Sequence, residues 1–319
     1  MDAIKDSSLI EVQLAATHYA AQDTHLYEFC RPDGAVLPAS EPGSHVDLHL
    51  TNGLVRQYSL TVPNPAPYAY VLGIKRDPAS RGGSRYIFDQ LHIGQRLKIS
   101  QPRNNFVLVE DAPHVVLVAG GIGITPIWCM AQRLSALGRS WELHYSCRSR
   151  ADMAFLGQLQ GRTAAHLHFD AESGGSFLDL KGIVSAAANR AHFYCCGPAP
   201  MLQAFEKATA NRPREQVHVE YFAPKEGPSR EGGFIVQLAR TQKEFLIPPG
   251  QSILQVLRDA GLNLRYSCEE GVCGECETAV ISGTPDHRDS ILTPRERAAN
   301  KTMMICCGGC RSGRLVLDL

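Results

Sequence analysis

Residues 268–276 run Cys-Glu-Glu-Gly-Val-Cys-Gly-Glu-Cys, and a further cysteine, Cys306, follows later in the chain. The spacing C-x4-C-x2-C…C is that of a loop that binds a [2Fe–2S] cluster. Three thiolates within nine residues can surround such a cluster, and backbone N–H groups turned inward can hydrogen-bond its sulfurs. Gly271 and Gly274 suit the unusual backbone angles that this requires. The sequence therefore predicts four iron ligands: Cys268, Cys273, Cys276 and Cys306.

The fourth ligand has competitors, because residues 306–310 run Cys-Cys-Gly-Gly-Cys and offer three thiols. We choose Cys306 on spacing, interpret Cys307 as a packing residue and leave Cys310 unassigned. Zinc is the rival metal, but structural zinc sites more usually contain paired C-x2-C segments. The other cysteines are scattered and are typical of small buried hydrophobic residues: Cys30, Cys129, Cys147 and Cys195 among them.

The composition argues against several functional classes. The 319 residues are enough for two or three domains. Lys+Arg and Asp+Glu both total 32, so the formal net charge is zero and no basic field favours nucleic acid. The charged start does not fit a signal peptide, and no apolar run reaches the length of a spanning helix. We therefore expect a soluble cytoplasmic protein without nucleic-acid or membrane partners, whose clustered cysteines bind metal and do not form disulfides.

The first part of the chain, up to about residue 105, has a strand pattern. Short runs alternate apolar and polar residues, as in residues 44–50, where Val46, Leu48 and Leu50 share one face. Proline and glycine residues separate these runs. Many short strands divided by turn residues predict a small antiparallel β-barrel.

The pattern changes after Pro113. Residues 114–119 form an apolar run typical of a strand buried on both faces, and residues 125–137 have helical spacing. Further strands are predicted over residues 141–146, 166–169, 193–195 and 217–222, with a helix from about Pro198. Repeated strand and helix units predict an α/β domain with a doubly wound parallel sheet.

A third unit is expected after residues 223–233, which have the composition of an exposed interdomain linker. It contains strand-like runs at 234–238 and 244–247, a helix over about 252–260 and then the cysteine-rich end. The predicted domains are an antiparallel β-barrel over residues 1–107, an α/β domain over 108–225 and a third domain over 226–319.

Two loops of the α/β domain suit a nucleotide. Residues 120–126, Gly-Gly-Ile-Gly-Ile-Thr-Pro, lie between a buried strand and a helix, where bare backbone lets a pyrophosphate approach the helix N-terminus. Pro126 replaces the third glycine of G-x-G-x-x-G, so alone the loop also fits a plain tight turn. Cys196-Gly197-Pro198 again follows a strand, at the carboxyl edge where ligands bind. Cys196 could face a nicotinamide ring there, or be a buried thiol. The candidate residues are Gly120, Gly121, Gly123, Thr125, Pro126, Cys196, Gly197 and Pro198.

Two segments of the barrel fit a phosphate-bearing cofactor. Residues 56–59, Arg-Gln-Tyr-Ser, combine a cation, a phenol and a hydroxyl, and on a strand Arg56 and Tyr58 face one side and Ser59 the other. Gly73-Ile74-Lys75 precedes Arg81-Gly82-Gly83-Ser84, and Gly-Gly-Ser beside arginine is typical of an anion-binding loop.

Two histidines of the α/β domain, His166 and His168, lack an evident carboxylate partner, so we predict no metal there.

In this order the motifs resemble those of the phthalate dioxygenase reductases, a family of the ferredoxin–NADP reductase superfamily. The resemblance covers nearly the whole chain. It rests on residues 56–59, 82–84, 120–126, 196–198 and 220–222, the cysteine loop and the ending at 315–319. It implies an FMN-binding barrel, a nicotinamide domain and a plant-type ferredoxin domain with an α+β, β-grasp fold. One departure is the stretch 308–310, Gly-Gly-Cys, where the family has more polar residues.

The resemblance also implies roles for individual residues. The implied flavin-binding residues are Arg56, Gln57, Tyr58, Ser59, Gly73, Ile74, Lys75, Gly82, Gly83, Ser84 and Thr125, with Phe222 near the flavin ring. The two loops of the α/β domain would hold the nicotinamide nucleotide, and Ser59, Cys196 and Phe222 are the implied catalytic residues. NADH is the more common donor in the family, but Arg148 and Arg150 could accept the 2′-phosphate of NADPH.

The implied function is electron transfer. A hydride from NADH carries two electrons and the cluster accepts one at a time, so a flavin must divide the pair. The leading hypothesis is the reductase component of a multicomponent aromatic-ring oxygenase, whose partner is a terminal Rieske non-haem iron oxygenase. One alternative ends the same path at a haem monooxygenase or a small carrier protein. Another is a redox-sensing cluster module without enzyme activity.

Overall fold

The computed structural model describes residues 9–63, 67–78, 82–225 and 227–319. The chain divides into two compact units, one up to Glu220 and one from Tyr221. Each unit is described by itself. The predicted domain boundaries at 107/108 and 225/226 stay predictions.

The first unit begins with an antiparallel sheet. Its strands are β1 (Ile10–Ala21), β2 (Thr24–Cys30), β3 (Ser44–His49), β4 (Val55–Ser59), β5 (Ala69–Lys75), β6 (Arg96–Ile99) and β7 (Arg103–Asn104). The order is β4-β3-β6-β1-β2-β5, with β7 also paired to β3. A bridge between Leu60 and Leu72 joins the two ends of this order. The sheet therefore closes on itself, which confirms the predicted antiparallel barrel. A helix, α1 (Gly83–Gln90), precedes β6.

A parallel sheet follows in the same unit. Its strands are β8 (Val115–Gly120), β9 (Trp141–Cys147), β10 (Ala165–Phe169), β11 (His192–Cys196) and β12 (Val217–Glu220). The helices are α2 (Ile124–Ala136), α3 (Leu156–Leu159), α4 (Leu180–Ala186) and α5 (Ala199–Ala208). The order β10-β9-β8-β11-β12 confirms the doubly wound sheet. All six residues of β8 are buried, as its apolar run predicts.

The last strand of this sheet is shorter than predicted. It ends at Glu220 and not at Phe222, because its partner β11 ends at Cys196, which pairs with Glu220. Within the described part of the chain, Tyr221 and Phe222 belong to no strand. The chain enters the second unit at this point.

The barrel and the parallel sheet contact each other within the first unit. Gln132 Nε2 of α2 donates a hydrogen bond of 2.7 Å to the carbonyl of Thr61, and the N–H of Gln22 donates one of 2.8 Å to the carbonyl of Ala151. Ala21 and Phe106 pack into the core of the parallel sheet. These contacts fix the barrel against the α/β layer.

The second unit contains a five-stranded mixed sheet and a separate two-stranded antiparallel sheet. Its strands are β13 (Phe234–Leu238), β14 (Glu244–Ile247), β15 (Glu277–Ser282), β16 (Pro285–Asp286), β17 (Thr302–Met304), β18 (Gly309–Cys310) and β19 (Arg314–Leu317). Its helices are α6 (Ile253–Asp259) and α7 (Pro294–Ala299). Five strands form the order β14-β13-β19-β15-β17, in which β13 and β19 are parallel and the other pairs antiparallel. This agrees with the predicted α+β domain.

The predicted linker is largely exposed, but it is attached to the second unit. The N–H of Ser229 donates to the carbonyl of Cys307 at 2.8 Å, and the N–H of Lys225 donates to Ser290 Oγ at 3.1 Å. Among the helices of the described residues, none has the length and apolar content needed to cross a bilayer.

Candidate functional site

The four predicted cluster ligands converge in the second unit. Cys268, Cys273 and Cys276 lie on the loop between α6 and β15, and Cys306 follows β17. The thiol of Cys268 contacts those of Cys273 and Cys306, and Cys306 also contacts Cys276. All four residues are buried. Separate parts of the chain thus bring four sulfurs together, which is the donor set of a [2Fe–2S] cluster.

The backbone of the loop is shaped around these sulfurs. Gly271 has a φ of 71° and Gly274 a φ of 81°, the left-handed conformations that favour glycine. The N–H of Glu270 donates to Cys268 Sγ at 3.3 Å. The N–H of Glu275 likewise donates to Cys273 Sγ at 3.4 Å. Because N–H groups directed at sulfur stabilise the thiolates that metal binding requires, this backbone fits the cluster.

The two remaining thiols of the 306–310 segment lie differently. Cys307 is buried, and a Cβ on Gly271 would lie only 2.4 Å from its Sγ, so it packs beneath the loop. Cys310 is half-buried in β18, with its Sγ 3.5 Å from Ser312 Oγ. The contacts of Cys306 with two other cluster cysteines therefore favour it as the fourth ligand.

The Gly-Gly pair in this segment has a packing reason. A Cβ on Gly308 would lie 2.7 Å from Met303 Cε, and a Cβ on Gly309 would lie 2.3 Å from Ser229 Oγ. Larger residues would push the chain away from the cysteine loop. Gly308 and Gly309 thus allow close packing at this segment.

An anion cradle lies at the start of α1 in the barrel. Gly82 has a φ of 92° and precedes the helix, so the backbone N–H groups of the first turn have no side-chain cap. A Cβ on Gly83 would lie 2.5 Å from Arg56 Cγ, which shows that the arginine side chain crosses the helix N-terminus. Ser84 is buried, and its Oγ accepts a hydrogen bond of 3.1 Å from the backbone N–H of Asp77. Arg81, predicted for the same loop, lies outside the described residues. A guanidinium beside a helix N-terminus fits the phosphate of FMN.

The other predicted flavin residues of β4 follow the expected alternation. Arg56 pairs with Leu48 and Tyr58 with Val46, both core residues of the barrel, whereas Ser59 is buried opposite His45. Burial raises the pKa of Tyr58, so its phenol stays protonated. Gln57 lies opposite Asp47.

Gly73 and Thr125 bring the barrel to the glycine loop. A Cβ on Gly73 would lie 2.5 Å from the methyl group of Thr125, at the start of α2. Ile74 is buried in the barrel core, and Lys75 ends β5 opposite Thr24. The structure thus places one predicted flavin residue of the α/β layer directly against the barrel.

The two predicted nucleotide loops interlock at the carboxyl edge of the parallel sheet. A Cβ on Gly123 would lie 2.2 Å from the carbonyl oxygen of Cys196, and one on Gly120 would lie 2.7 Å from Pro198 Cδ. The loop continues as a 3-10 turn, Gly121–Gly123, and Tyr145 donates a hydrogen bond of 3.0 Å to the carbonyl of Gly121. Bare backbone at the start of a thirteen-residue helix fits a pyrophosphate.

Replacing Gly123 with alanine is expected to disrupt this edge. The new Cβ would meet backbone atoms, which cannot turn aside as a side chain can, so we expect a loss of about 2–3 kcal/mol in stability and a raised KM for the nicotinamide nucleotide. Gly157→Ala is the matched control, since a Cβ there meets nothing within 4 Å. Thermal unfolding and steady-state kinetics on both variants check this. Equal thermal stability and equal KM in Gly123→Ala and Gly157→Ala would contradict the expected disruption.

The buried Cys196 and the half-buried Glu220 form a pair at the ends of β11 and β12. They are register partners, and their side chains hydrogen-bond. Burial raises the pKa of Glu220 to about 8, and its Oε2 is buried without a hydrogen-bond partner among the described residues. Burial, and then the adjacent carboxyl, raise the pKa of the Cys196 thiol well above its ordinary value. The thiol is therefore neutral and fully buried, and its contact with a nicotinamide stays a prediction.

Our sequence analysis did not single out Glu220 as a site residue. Glu220 ends a strand at the same edge of the sheet as Cys196. A carboxylate at the end of a predicted strand was the sequence signal that could have indicated a site residue. Phe222, predicted near the flavin ring, belongs to the second unit and is 40% exposed.

A glutamine at position 220 is expected to change how stability depends on pH. The unfolded carboxyl ionises near its ordinary pKa, whereas the folded one stays protonated to about pH 8. Between these values the carboxyl ionises in the unfolded state but stays protonated in the folded state. The free energy of unfolding of the wild type therefore falls as pH rises from about 4.5 to 8. Glu220→Gln removes that fall, an expected difference of roughly 10 °C in Tm across this pH range. Glu215→Gln, at an exposed residue nearby, is the control. Identical pH profiles for wild type and Glu220→Gln would contradict the assignment.

The two arginines considered for a 2′-phosphate differ in their surroundings. Arg150 forms two hydrogen bonds with Glu172, at 2.7 and 2.8 Å, and lies over the ring of Phe169. Arg148 is exposed. The Arg150 guanidinium, which a 2′-phosphate would contact, is therefore already paired with the Glu172 carboxylate.

Comparisons with known proteins agree with this geometry. Residues 236–310 match the 2Fe-2S iron-sulfur cluster binding domain family. Phenoxybenzoate dioxygenase subunit beta of Ectopseudomonas oleovorans is 47% identical, covering 100% of both chains. Tetrachlorobenzoquinone reductase of Sphingobium chlorophenolicum is also 47% identical, covering 98% of both.

Two solved structures share the fold over the whole chain. An intact type IV self-sufficient cytochrome P450 monooxygenase is 36% identical with a TM-score of 0.84, covering 100% of this chain and 43% of that one. Phthalate dioxygenase reductase is 36% identical with a TM-score of 0.78, covering 99% of both. With this identity over the full length, the chain belongs to the phthalate dioxygenase reductase family.

Proposed function

We propose that this protein is the reductase component of a multicomponent Rieske-type aromatic-ring oxygenase. It moves electrons from NADH through FMN and a [2Fe–2S] cluster to the terminal oxygenase. The observation that carries this proposal is the buried group of four cysteines in the same chain as an anion cradle and an interlocked pair of nucleotide loops. When bound, FMN takes up a hydride and gives single electrons, and the cluster carries them one at a time.

The barrel residues bind and orient the flavin. Arg56 and the first turn of α1 hold the FMN phosphate, and the absence of a Cβ at Gly83 leaves room for the arginine. Gly73 lets Thr125 approach the barrel, so the flavin residues of both layers form one surface. Ser59, buried at the end of β4, would supply a hydroxyl group to hydrogen-bond the flavin near N5. These residues fix the flavin without taking part in acid–base chemistry.

The α/β residues bind the nucleotide. Gly120, Gly121 and Gly123 give the pyrophosphate access to the N-terminus of α2, and Gly197 keeps the second loop against the first. The pKa values of the Cys196 thiol and the Glu220 carboxyl are both raised, to about 8 for Glu220, which favours their neutral forms at the nucleotide loops. The pairing of Arg150 with Glu172 supports NADH over NADPH as the donor.

The cysteine loop holds the cluster and shields it. Cys268, Cys273, Cys276 and Cys306 are its ligands, and the loop N–H groups directed at the sulfurs stabilise added negative charge. Electrons leave from this unit to the oxygenase.

A second candidate function is direct reduction of a quinone. It is favoured by the 47% identity to a protein named tetrachlorobenzoquinone reductase. In that case the acceptor is a small aromatic molecule and no oxygenase is needed.

Anaerobic stopped-flow mixing separates these functions. The NADH-reduced protein is mixed with Rieske oxygenases from the phenoxybenzoate and phthalate systems, with a cytochrome P450, or with tetrachlorobenzoquinone. Fast reduction of a Rieske centre, lost in the cluster-deficient Cys306→Ser variant, supports the main proposal. Fast reduction of the quinone with no transfer to any Rieske centre would support the second candidate instead.

A further inference from the structure

A group of metal-ligating side chains lies on two neighbouring strands of the parallel sheet, β9 and β10. Glu142 and His144 are two residues apart on β9 and share a face. His166 of β10 is the direct register partner of His144. One ring nitrogen of each histidine and one carboxylate oxygen of Glu142 lie within 4.8 Å of one another.

The donor atoms contact one another and one further histidine, because Glu142 Oε1 also lies 3.9 Å from Nε2 of His114. His144 is 14% exposed at its side chain, and its Nε2 lies 3.4 Å from Glu142 Oε1 but makes no hydrogen bond of normal geometry among the described residues. His166 is exposed, which gives an ion a path from solvent.

We propose that Glu142, His144 and His166 form a binding site for a divalent transition-metal ion of the zinc class. Two imidazoles and one carboxylate are a known ligand set for Zn²⁺, with water in the fourth position. Metal–ligand distances of about 2.0–2.2 Å require the donors to draw together. The two rings now stack with centroids 4.7 Å apart, so they must turn about their outer torsions, which are soft.

His168, two residues after His166 on β10, has different surroundings from the three proposed ligands. His168 hydrogen-bonds through Nε2 to the carbonyl of Ser176 at 2.8 Å and lies 3.6 Å from Asp170. Its ring nitrogen already has a partner, whereas the three proposed ligands face each other. His168 is therefore a matched control on the same strand and face.

Isothermal titration of the loaded protein with Zn²⁺ tests the proposal, with cluster and flavin content checked by absorption before and after. We expect wild type to bind one Zn²⁺ ion more than His166→Ala, or to bind it at least about tenfold more tightly, the loss that even an outer-shell change produces. Glu142→Gln is expected to behave like His166→Ala, and His168→Ala like wild type.

Equal Zn²⁺ uptake by wild type and His166→Ala would overturn the proposal, since thiols elsewhere would then account for all binding. An equal loss in His168→Ala would overturn it too, because the ligand set would be a different one. Replacing the exposed His166 leaves the core of the sheet intact, so a folding defect does not obscure the comparison.

Discussion

Replacing Cys306 with serine is expected to abolish the [2Fe–2S] cluster, whereas replacing Cys310 with serine leaves it in place. Cys306 contacts the thiols of Cys268 and Cys276 and is buried with them. Cys310 lies on β18, half-buried, with its sulfur directed to Ser312. A plant-type cluster needs four thiolates, so loss of one true ligand removes the iron or leaves it labile. Iron content and the visible absorption of the cluster, measured on both variants, check this.

The flavin gives an internal control for this experiment. FMN content is expected to stay unchanged in Cys306→Ser, because the anion cradle lies in the first unit. The reverse outcome, a lost cluster in Cys310→Ser and an intact one in Cys306→Ser, would move the fourth ligand to Cys310.

Replacing Arg56 with alanine is expected to release FMN while the cluster remains. The Arg56 side chain crosses the N-terminus of α1 against Gly83, where the flavin phosphate is proposed to bind. Removing one partner of a charged, hydrogen-bonded pair costs about 3 kcal/mol, or roughly 100-fold in Kd. Flavin fluorescence after dilution, with the cluster absorption as a reference, measures the loss.

Arg96→Ala is the matched variant, since it removes the same charge from the barrel surface. Arg96 is exposed and pairs with Glu11 on β1. It is expected to retain FMN fully. Unchanged flavin content in Arg56→Ala, or an equal loss in Arg96→Ala, would contradict the cradle.

Much of the fold was predictable because its signals are local. The alternation in residues 44–50 and the turn residues between short runs predicted the barrel, and the apolar run before Gly120 predicted the central strand β8. The cysteine spacing predicted four thiols that the structure brings together, since three of them lie on one loop. Each of these patterns is contained within a few consecutive residues.

What could not be predicted depends on strand register. The pairing of Cys196 with Glu220 arises because β11 and β12 end together, and the same pairing ends β12 before Phe222. Glu142 supplies the carboxylate that we did not find for His166, because β9 and β10 lie side by side. The contact of Arg56 with Gly83 joins a strand to a distant helix. None of these neighbours is close in the sequence.

The most direct test is an anaerobic titration of the purified protein with NADH, followed across the visible spectrum and repeated with NADPH. The account predicts that both the flavin bands and the iron–sulfur bands bleach at low NADH, with NADPH the weaker donor. Absence of either set of bands, or bands that stay oxidised with both nucleotides, would contradict the proposed electron path.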